Sequence, residues 1–249
     1  MESPAGPTRH TLAHQGRSIV FECPNALCLN RARTMLTKEP GTISWIDGFE
    51  AGETFWDVGA NVGVYTLYAA VMREVRVLAF EPSAANYHVL IRNIVANGLD
   101  GRIRALCIAL DRTQHLAELN MFSAQEGSAR HALGKAIDFR GRRFQPAFRQ
   151  AALGVSIDRL CSEFGAPPPD HLKIDVDGPE RAIVAGAANT LRTCRSVLVE
   201  ADLNDVAEVE EITSAMQTAG LVRDDKVPGN DVREHRGVRI QNLIFRRPG

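Results

Sequence analysis

The chain has 249 residues, 45% of them apolar and 24% charged, and a formal net charge of -1 at pH 7. That length and composition predict one large domain with its own core, and the charge excludes a global attraction to nucleic acid or anionic membrane. Five scattered cysteines without a C-x-x-C pair (Cys23, Cys28, Cys107, Cys161, Cys194) read as reduced thiols of a cytoplasmic protein, and no membrane-spanning apolar run or signal segment is evident.

Residues 1 to about 17 are polar and rich in Pro, Gly and Thr, which predicts a loose arm. Ser18–Glu22 reads as a short strand, and Arg31–Lys38 and Ile43–Phe49 as helices ahead of the core. Residues 1–42 are therefore expected to form an arm and cap on a domain spanning 43–249. From Thr54 the pattern alternates: strand 54–58, helix 62–73, strand 75–80, helix 83–97 and strand 103–108. Glu118–Phe122 and Arg149–Ile157 read as strands around a basic excursion at about 123–150. Within it Arg130, Lys135, Arg140, Arg142, Arg143 and Arg149 face one acid, Asp138, which suits a solvated hairpin or a lid for an anionic substrate. Then follow strand Leu172–Val176, helix Pro179–Arg192, strand Ser196–Glu200, helix Asp205–Ala219 and strand Val238–Arg246. Strands separated by helices imply an α/β fold with a doubly wound, mostly parallel sheet.

The segment Phe55-Trp56-Asp57-Val58-Gly59-Ala60-Asn61-Val62-Gly63-Val64-Tyr65-Thr66 reads as a buried strand, a glycine-bearing turn and the start of a helix. Such a turn leaves backbone N–H groups, at Ala60 among others, and the positive helix end available to a ligand. Glu81, 22 residues after Gly59, closes the next apolar run and can accept hydrogen bonds from a ribose. Asn61 stands where the dinucleotide fingerprint places its second glycine, the residue that lets backbone approach a pyrophosphate. An amino-acid nucleoside, S-adenosyl-L-methionine, suits the site better than NAD. Gly59 and Gly63 would let backbone pass close to that ligand, and Asn61 can go left-handed or donate from its amide. Thr66 either offers its hydroxyl to a carboxylate or faces the core. Asp111 either approaches the adenine or simply makes a turn, and Gly127-Ser128 points to the methionine end.

Asp175 and Asp177 lie two apart at the tip of the fourth strand, where open parallel sheets bind ligands. Two close carboxylates disfavour joint ionisation, so one would carry a raised pKa suited to a general base. Lys173 shares their face and could instead neutralise them. Glu200, Asp202 and Asn204 end the next strand, and with Asp175 or Asp177 they would make an oxygen-rich cluster suited to Mg²⁺ in a catechol-type O-methyltransferase. No metal ligands are assigned. His171 reads as a surface histidine.

Four motifs in order resemble the S-adenosylmethionine-dependent methyltransferases of the FkbM family: Phe55–Thr66; Leu78-Ala79-Phe80-Glu81-Pro82 with Leu90-x-x-Asn93-x-x-x-Asn97-Gly98; Val155-Ser156-Ile157-Asp158-Arg159-Leu160; and Leu172-Lys173-Ile174-Asp175-Val176-Asp177-Gly178-Pro179-Glu180 with Gly186. The similarity runs from about residue 43 to Arg246. It implies a seven-stranded class I methyltransferase fold and O-methylation of a small molecule, natural product or glycan. It also places Asp57 at the acidic position that orients the loop and the amino-acid end of the cofactor. Where family members often carry Glu-Gly-Ala/Glu, this chain has Asp177-Gly178-Pro179-Glu180. The lack of an Asn/Asp-Pro-Pro-Tyr motif argues against a nucleic-acid base as acceptor. A non-catalytic cofactor-binding protein on the same fold is the competing reading from another class. Neither nucleic acid nor membrane is expected as a partner, and homo-oligomerisation stays open.

Overall fold

The computed structural model describes residues 8–138, 141–235 and 237–248. In chain order the strands and helices are β1 (Thr8–His14), β2 (Arg17–Cys23), α1 (Ala26–Lys38), α2 (Pro40–Ile46), β3 (Thr54–Val58), α3 (Val64–Met72), β4 (Arg76–Phe80), α4 (Ala84–Ala96), β5 (Ile103–Leu106), β6 (Ala109–Leu110) and β7 (His115–Met121). They continue with β8 (Ala132–Leu133), β9 (Phe148–Val155), α5 (Ile157–Ser162), β10 (His171–Ile174), α6 (Glu180–Ala185), β11 (Ser196–Asp202), α7 (Val206–Thr218), β12 (Val222–Arg223), β13 (Arg233–His235) and β14 (Val238–Arg246).

The main sheet runs β12-β14-β11-β10-β3-β4-β5, with β13 added alongside β14. The pairs β11/β10, β10/β3, β3/β4 and β4/β5 are parallel, and β14 is antiparallel to its neighbours. This seven-strand path is the class I methyltransferase architecture that the resemblance implied. Strand alternation divides the core into two layers. Phe55, Val77, Ala79, Leu198 and Ile244 face α1 to α4, while Trp56, Val58, Leu78, Phe80, Val197, Val199 and Phe245 face α5 to α7. A strand that is apolar on both faces is what a doubly covered sheet requires, and β3 is buried at all five positions.

The stretch from Thr8, expected as part of a loose arm, is instead a strand paired along its length with β2. Its partner buries Ile19, Phe21 and Cys23 in the layer that holds α3 and α4, so the hairpin is anchored by apolar surface that a reading of Thr8–His14 alone does not reveal. The anchor is completed by α4. Asn97 accepts from Val20 N at 2.8 Å and donates to Val20 O at 2.7 Å, and Asn93 accepts from Glu22 N at 2.7 Å. Those two asparagines satisfy an open strand edge that would otherwise be buried unpaired.

Three other expectations change. Pro179–Arg192 is a helix only from Glu180 to Ala185, followed by turns and a short 3-10 segment at Thr190–Arg192. The interruption follows from Gly186, where a Cβ would stand 2.5 Å from Asp111 O. Ile157 opens α5 and does not extend a strand, because the Ser156 hydroxyl caps that helix. The strands β7 and β9 around the basic excursion join β6 and β8 in a separate four-stranded sheet. Within the excursion Arg142 pairs with Asp138 at 2.8 Å, Arg149 lies 3.9 Å from Glu118, and Arg140 lies outside the described residues.

Gly63 caps α3 at φ 89°, and a Cβ there would sit 2.5 Å from Leu90 Cδ1. The missing side chain lets α3 and α4 pack closely. Gly63→Ala should therefore cost about 1–3 kcal/mol through strain and overpacking. Urea unfolding measures this, and an unchanged midpoint would contradict the packing role.

Candidate functional site

Beyond the C-terminal ends of β3, β4 and β10 lies a pocket. Of the residues singled out in the sequence, Gly59, Asn61, Glu81, Asp175 and Asp177 line it. Phe80, Pro82, Ile108, Leu110, Leu119 and Leu133 supply apolar wall. Ser128 lines it too, whereas Gly127 is not among the lining residues.

Glu81 is 4% exposed, and its carboxylate is held by three protein donors. Oε1 accepts from Ser83 N at 2.9 Å and from Asn86 Nδ2 at 3.3 Å, and Oε2 accepts from Asn61 N at 2.8 Å. Burial nevertheless pushes its pKa up to about 7, against the lowering effect of those bonds. The Asn61 amide can point at Glu81 because this residue takes the left-handed conformation, φ 52°. One of the lining residues carries a buried side-chain atom with no partner among the described residues: His131 Nε2. Its Nδ1 accepts from Phe122 N at 3.3 Å, and burial lowers the ring's pKa to about 4, so the neutral ring carries its proton on Nε2. The pocket thus combines a carboxylate acceptor at Glu81 and apolar wall with an imidazole of buried Nε2 among its lining residues.

Five residues expected at the cofactor are not among those that line the pocket. Asp57 is 1% exposed and sits behind the pocket wall, where Thr66 Oγ1 donates to its Oδ2 at 2.6 Å. Thr66 therefore faces the core. Ala60 is buried and spends its N–H on Phe80 O, and Gly63 packs on Leu90. Asp111 bonds Arg112 N at 2.6 Å and lies 3.5 Å from His115, outside the pocket lining. The chain turns after β5 to start a second sheet with β6, which carries Asp111 away. Gly59 does permit a close approach, but of protein: a Cβ there would be 1.9 Å from Asp175 O.

Behind the pocket stands Lys173, 1% exposed, with its ammonium 2.8 Å from Asp175 and 3.6 Å from Asp57. This pairing holds Asp175 down at about pKa 2, while burial raises Asp57. Asp175 and Asp177 do not share a strand face. β10 ends at Ile174, and Asp177 (φ 64°) and Gly178 (φ 142°) take positive φ, which breaks the two-residue alternation. Glu180 holds that turn by accepting from Val176 N at 3.2 Å and Gly178 N at 2.9 Å. Asp177 Oδ2 accepts from Arg130 N at 2.8 Å, and burial together with neighbouring Asp175 raises its pKa.

Asp177 also lines an adjoining cleft, which shares Ala129, Arg130, Leu133 and Pro179 with the pocket. At the back of that cleft, carboxylate oxygens of Glu39, Asp175 and Glu200 lie within 4.8 Å of one another. Arg233 bridges Glu39 and Glu200 at 2.8 Å each, and Lys38 lies 3.1 Å from Glu39. The cluster's charge is thus met by Lys173, Arg233 and Lys38. Asp202 and Asn204, grouped with Glu200 in the sequence, instead form their own turn, Asn204 N donating to Asp202 Oδ1 at 2.9 Å. Glu39 and Arg233 carry no sequence signal, being 194 residues apart. His171, expected at the surface, is 5% exposed and stacks on Phe49 at 3.7 Å. It bonds Ser196 and Glu53 at 2.7 Å each at the opposite end of β10.

Lys173→Met would leave Asp57 and Asp175 buried without their cation, which should destabilise the fold by about 3–5 kcal/mol near pH 7. A depressed carboxylate pKa contributes stability above its unfolded value and loses it as pH falls towards about 2. The penalty should accordingly shrink as pH falls, because Asp175 of the variant, buried without its cation, takes up a proton above the ordinary carboxylate range. Denaturant titrations at several pH values would expose a pH-independent penalty, which would contradict the pairing.

Comparisons with known proteins agree with this geometry. The model of the FkbM methyltransferase domain matches residues 57–222. Methyltransferase sdnD of Sordaria araneosa is 27% identical over 169 residues, covering 58% of this chain and 64% of its own. Hexuronic acid methyltransferase AglP of Haloferax volcanii is 22% identical over 172 residues, covering 69% of this chain and 64% of its own. The chain therefore spans just under two thirds of these relatives. Among solved structures, Methyltransferase FkbM from Methylobacillus flagellatus KT superposes with a TM-score of 0.50 at 17% identity, over 80% of this chain and 44% of that one, and attests the fold. Among the described residues no helix is long and apolar enough to cross a membrane. With two thirds of its length matched by the family model, the chain belongs to the FkbM methyltransferase family, whose cofactor is S-adenosylmethionine.

Proposed function

We propose that the protein transfers the methyl group of S-adenosylmethionine to a hydroxyl of a small molecule, natural product or glycan, with Asp177 as the base. The observation that carries this is the position of Asp177, which lines both the nucleoside-like pocket and the adjoining cleft. The cofactor supplies, when bound, an electrophilic methyl group on a sulfonium. Glu81 would accept from its ribose hydroxyls, the His131 Nε2–H would meet an acceptor on it, and Phe80, Pro82 and Ile108 would flank its base. Asp177 then takes the acceptor's hydroxyl proton. Its raised pKa makes it a stronger base than an ordinary aspartate, whereas Asp175 is committed to Lys173. Arg130 and Lys135 on the cleft wall, and the hexuronic acid named for the Haloferax volcanii relative, favour a polar, sugar-like acceptor.

The ribose assignment has a pH signature. Hydroxyl donors favour the ionised form of Glu81, so ligand binding expels the proton held by a carboxyl with a pKa of about 7. Affinity for S-adenosylhomocysteine should rise with pH up to about 7 and level off above it. Glu81→Ala should weaken binding by about 1–3 kcal/mol and remove that dependence. Calorimetric titration, with NAD⁺ as the control that should not bind, tests both points. Unaltered affinity in a folded Glu81→Ala protein would sink the assignment.

Asp177→Asn should keep the affinity for S-adenosylhomocysteine near wild type while slowing transfer by about 10²–10⁴-fold. The assay is a screen of hydroxylated acceptors, sugar acids included, followed by methyl transfer from labelled cofactor. A large loss of cofactor affinity would instead move Asp177 into the cofactor site.

A further inference from the structure

The segment 125–131, between β7 and β8, passes over the pocket as a strap, and four hydrogen bonds join it to Glu81 in a closed ring. Asn86 Nδ2 donates to Glu81 Oε1 at 3.3 Å and to Ser128 O at 3.0 Å. Asn61 Nδ2 donates to the same Ser128 O at 2.8 Å, and Asn61 N returns to Glu81 Oε2 at 2.8 Å. Asn86 Oδ1 also accepts from Gly127 N at 2.8 Å. Asn86 is 1% exposed, so its amide is spent entirely on Glu81 and the strap. On the outer side Arg31 Nε donates to Gly127 O at 2.6 Å, and at the far end Arg130 N donates to Asp177 at 2.8 Å. The inner face carries His131, whose buried Nε2 has no protein partner.

We propose that the strap is a latch over the cofactor and that Asn86 is the positioning residue that couples occupation of Glu81 to its closure, a proposal that rests on the ribose reading above. The coupling follows from counting lone pairs. Glu81 Oε1 already accepts twice, from Ser83 N and Asn86, whereas Oε2 accepts once from Asn61. A diol that donates to both oxygens takes the spare site on Oε2 and competes for Oε1 with its longest bond, the 3.3 Å one from Asn86. Asn86 Nδ2 then serves Ser128 O alone, and the strap tightens as the ligand seats. Release of the ligand requires that bond, together with those from Asn61 and to Gly127, to open.

The test is hydrogen exchange of 125–131 with and without S-adenosylhomocysteine, together with stopped-flow dissociation rates, in wild type, Asn86→Ala and Asn61→Gly. Glycine accepts the positive φ at position 61 and keeps the backbone N–H to Glu81, so this variant guards against a folding defect in the other. The ligand should protect 125–131 in the wild type. Both variants should lose that protection while keeping it in α4, and should release the ligand about tenfold faster or more. Strap exchange that ignores the ligand in wild type, or wild-type dissociation in both variants, overturns the latch. Where Glu81→Ala is impaired but both asparagine variants behave as wild type, the latch alone falls. Wild-type affinity in Glu81→Ala overturns the ribose reading and the latch with it.

Discussion

The ammonium of Lys173 lies wholly out of water between β3 and β10, and the ligand-binding edge of the sheet is arranged around it. A buried cation is stable only where carboxylates meet it closely, and Asp57 and Asp175 do so from the two neighbouring strand ends. This pairing commits Asp175 to structure. Asp177, two residues on and around a left-handed turn, instead accepts from the Arg130 backbone N–H. The division of labour between two similar aspartates is thus set by which of them the buried lysine reaches.

A second theme is the use of asparagine as a clamp. Asn93 and Asn97 close the open edge of β2, Asn61 and Asn86 hold the strap to Glu81, and Asn93 also donates to Val62 O at 2.8 Å. An amide that both donates and accepts can pair with two backbone groups at once, which suits places where chain segments meet without a ladder. Several motif residues that mark the family are accordingly structural. Asp158 caps Asn189 N and Thr190 N, and Glu180 holds the turn at Asp177. Motif membership and ligand contact are different properties here.

The two spaces beyond the sheet edge differ in character. The pocket over Glu81 is walled by apolar side chains and closed by the strap, while the adjoining cleft is lined by charges of both signs, among them Arg130, Lys135, Asp202 and Glu208. Asp177 stands at their junction.

Local signals were enough for much of this. Runs such as Thr54–Val58 and Ser196–Glu200, apolar on both faces, can only be strands covered on both sides, so the doubly wound sheet was legible residue by residue. Gly59, Asn61, Glu81, Asp175 and Asp177 could be placed near one pocket because they end successive parallel strands, and parallel strands end at one edge. What alternation and spacing could not decide was the direction of each side chain once regular structure stopped. Positive φ at Asp177, the departure of Asp111 into a second sheet and the inward turn of Thr66 toward Asp57 all depend on contacts made across the fold. The partners of the buried charges lie further still. Glu39 and Arg233 come from opposite ends of the chain, and His131 meets the pocket on a strap without any periodic pattern. The sequence by itself determined the central strands of the main sheet, the helices between them and the edge where the candidate pocket lies, because hydrophobic period and turn chemistry are local. Only the tertiary structure decided which carboxylate is neutralised and which faces the cleft, because a charge's partner is set by distance in space.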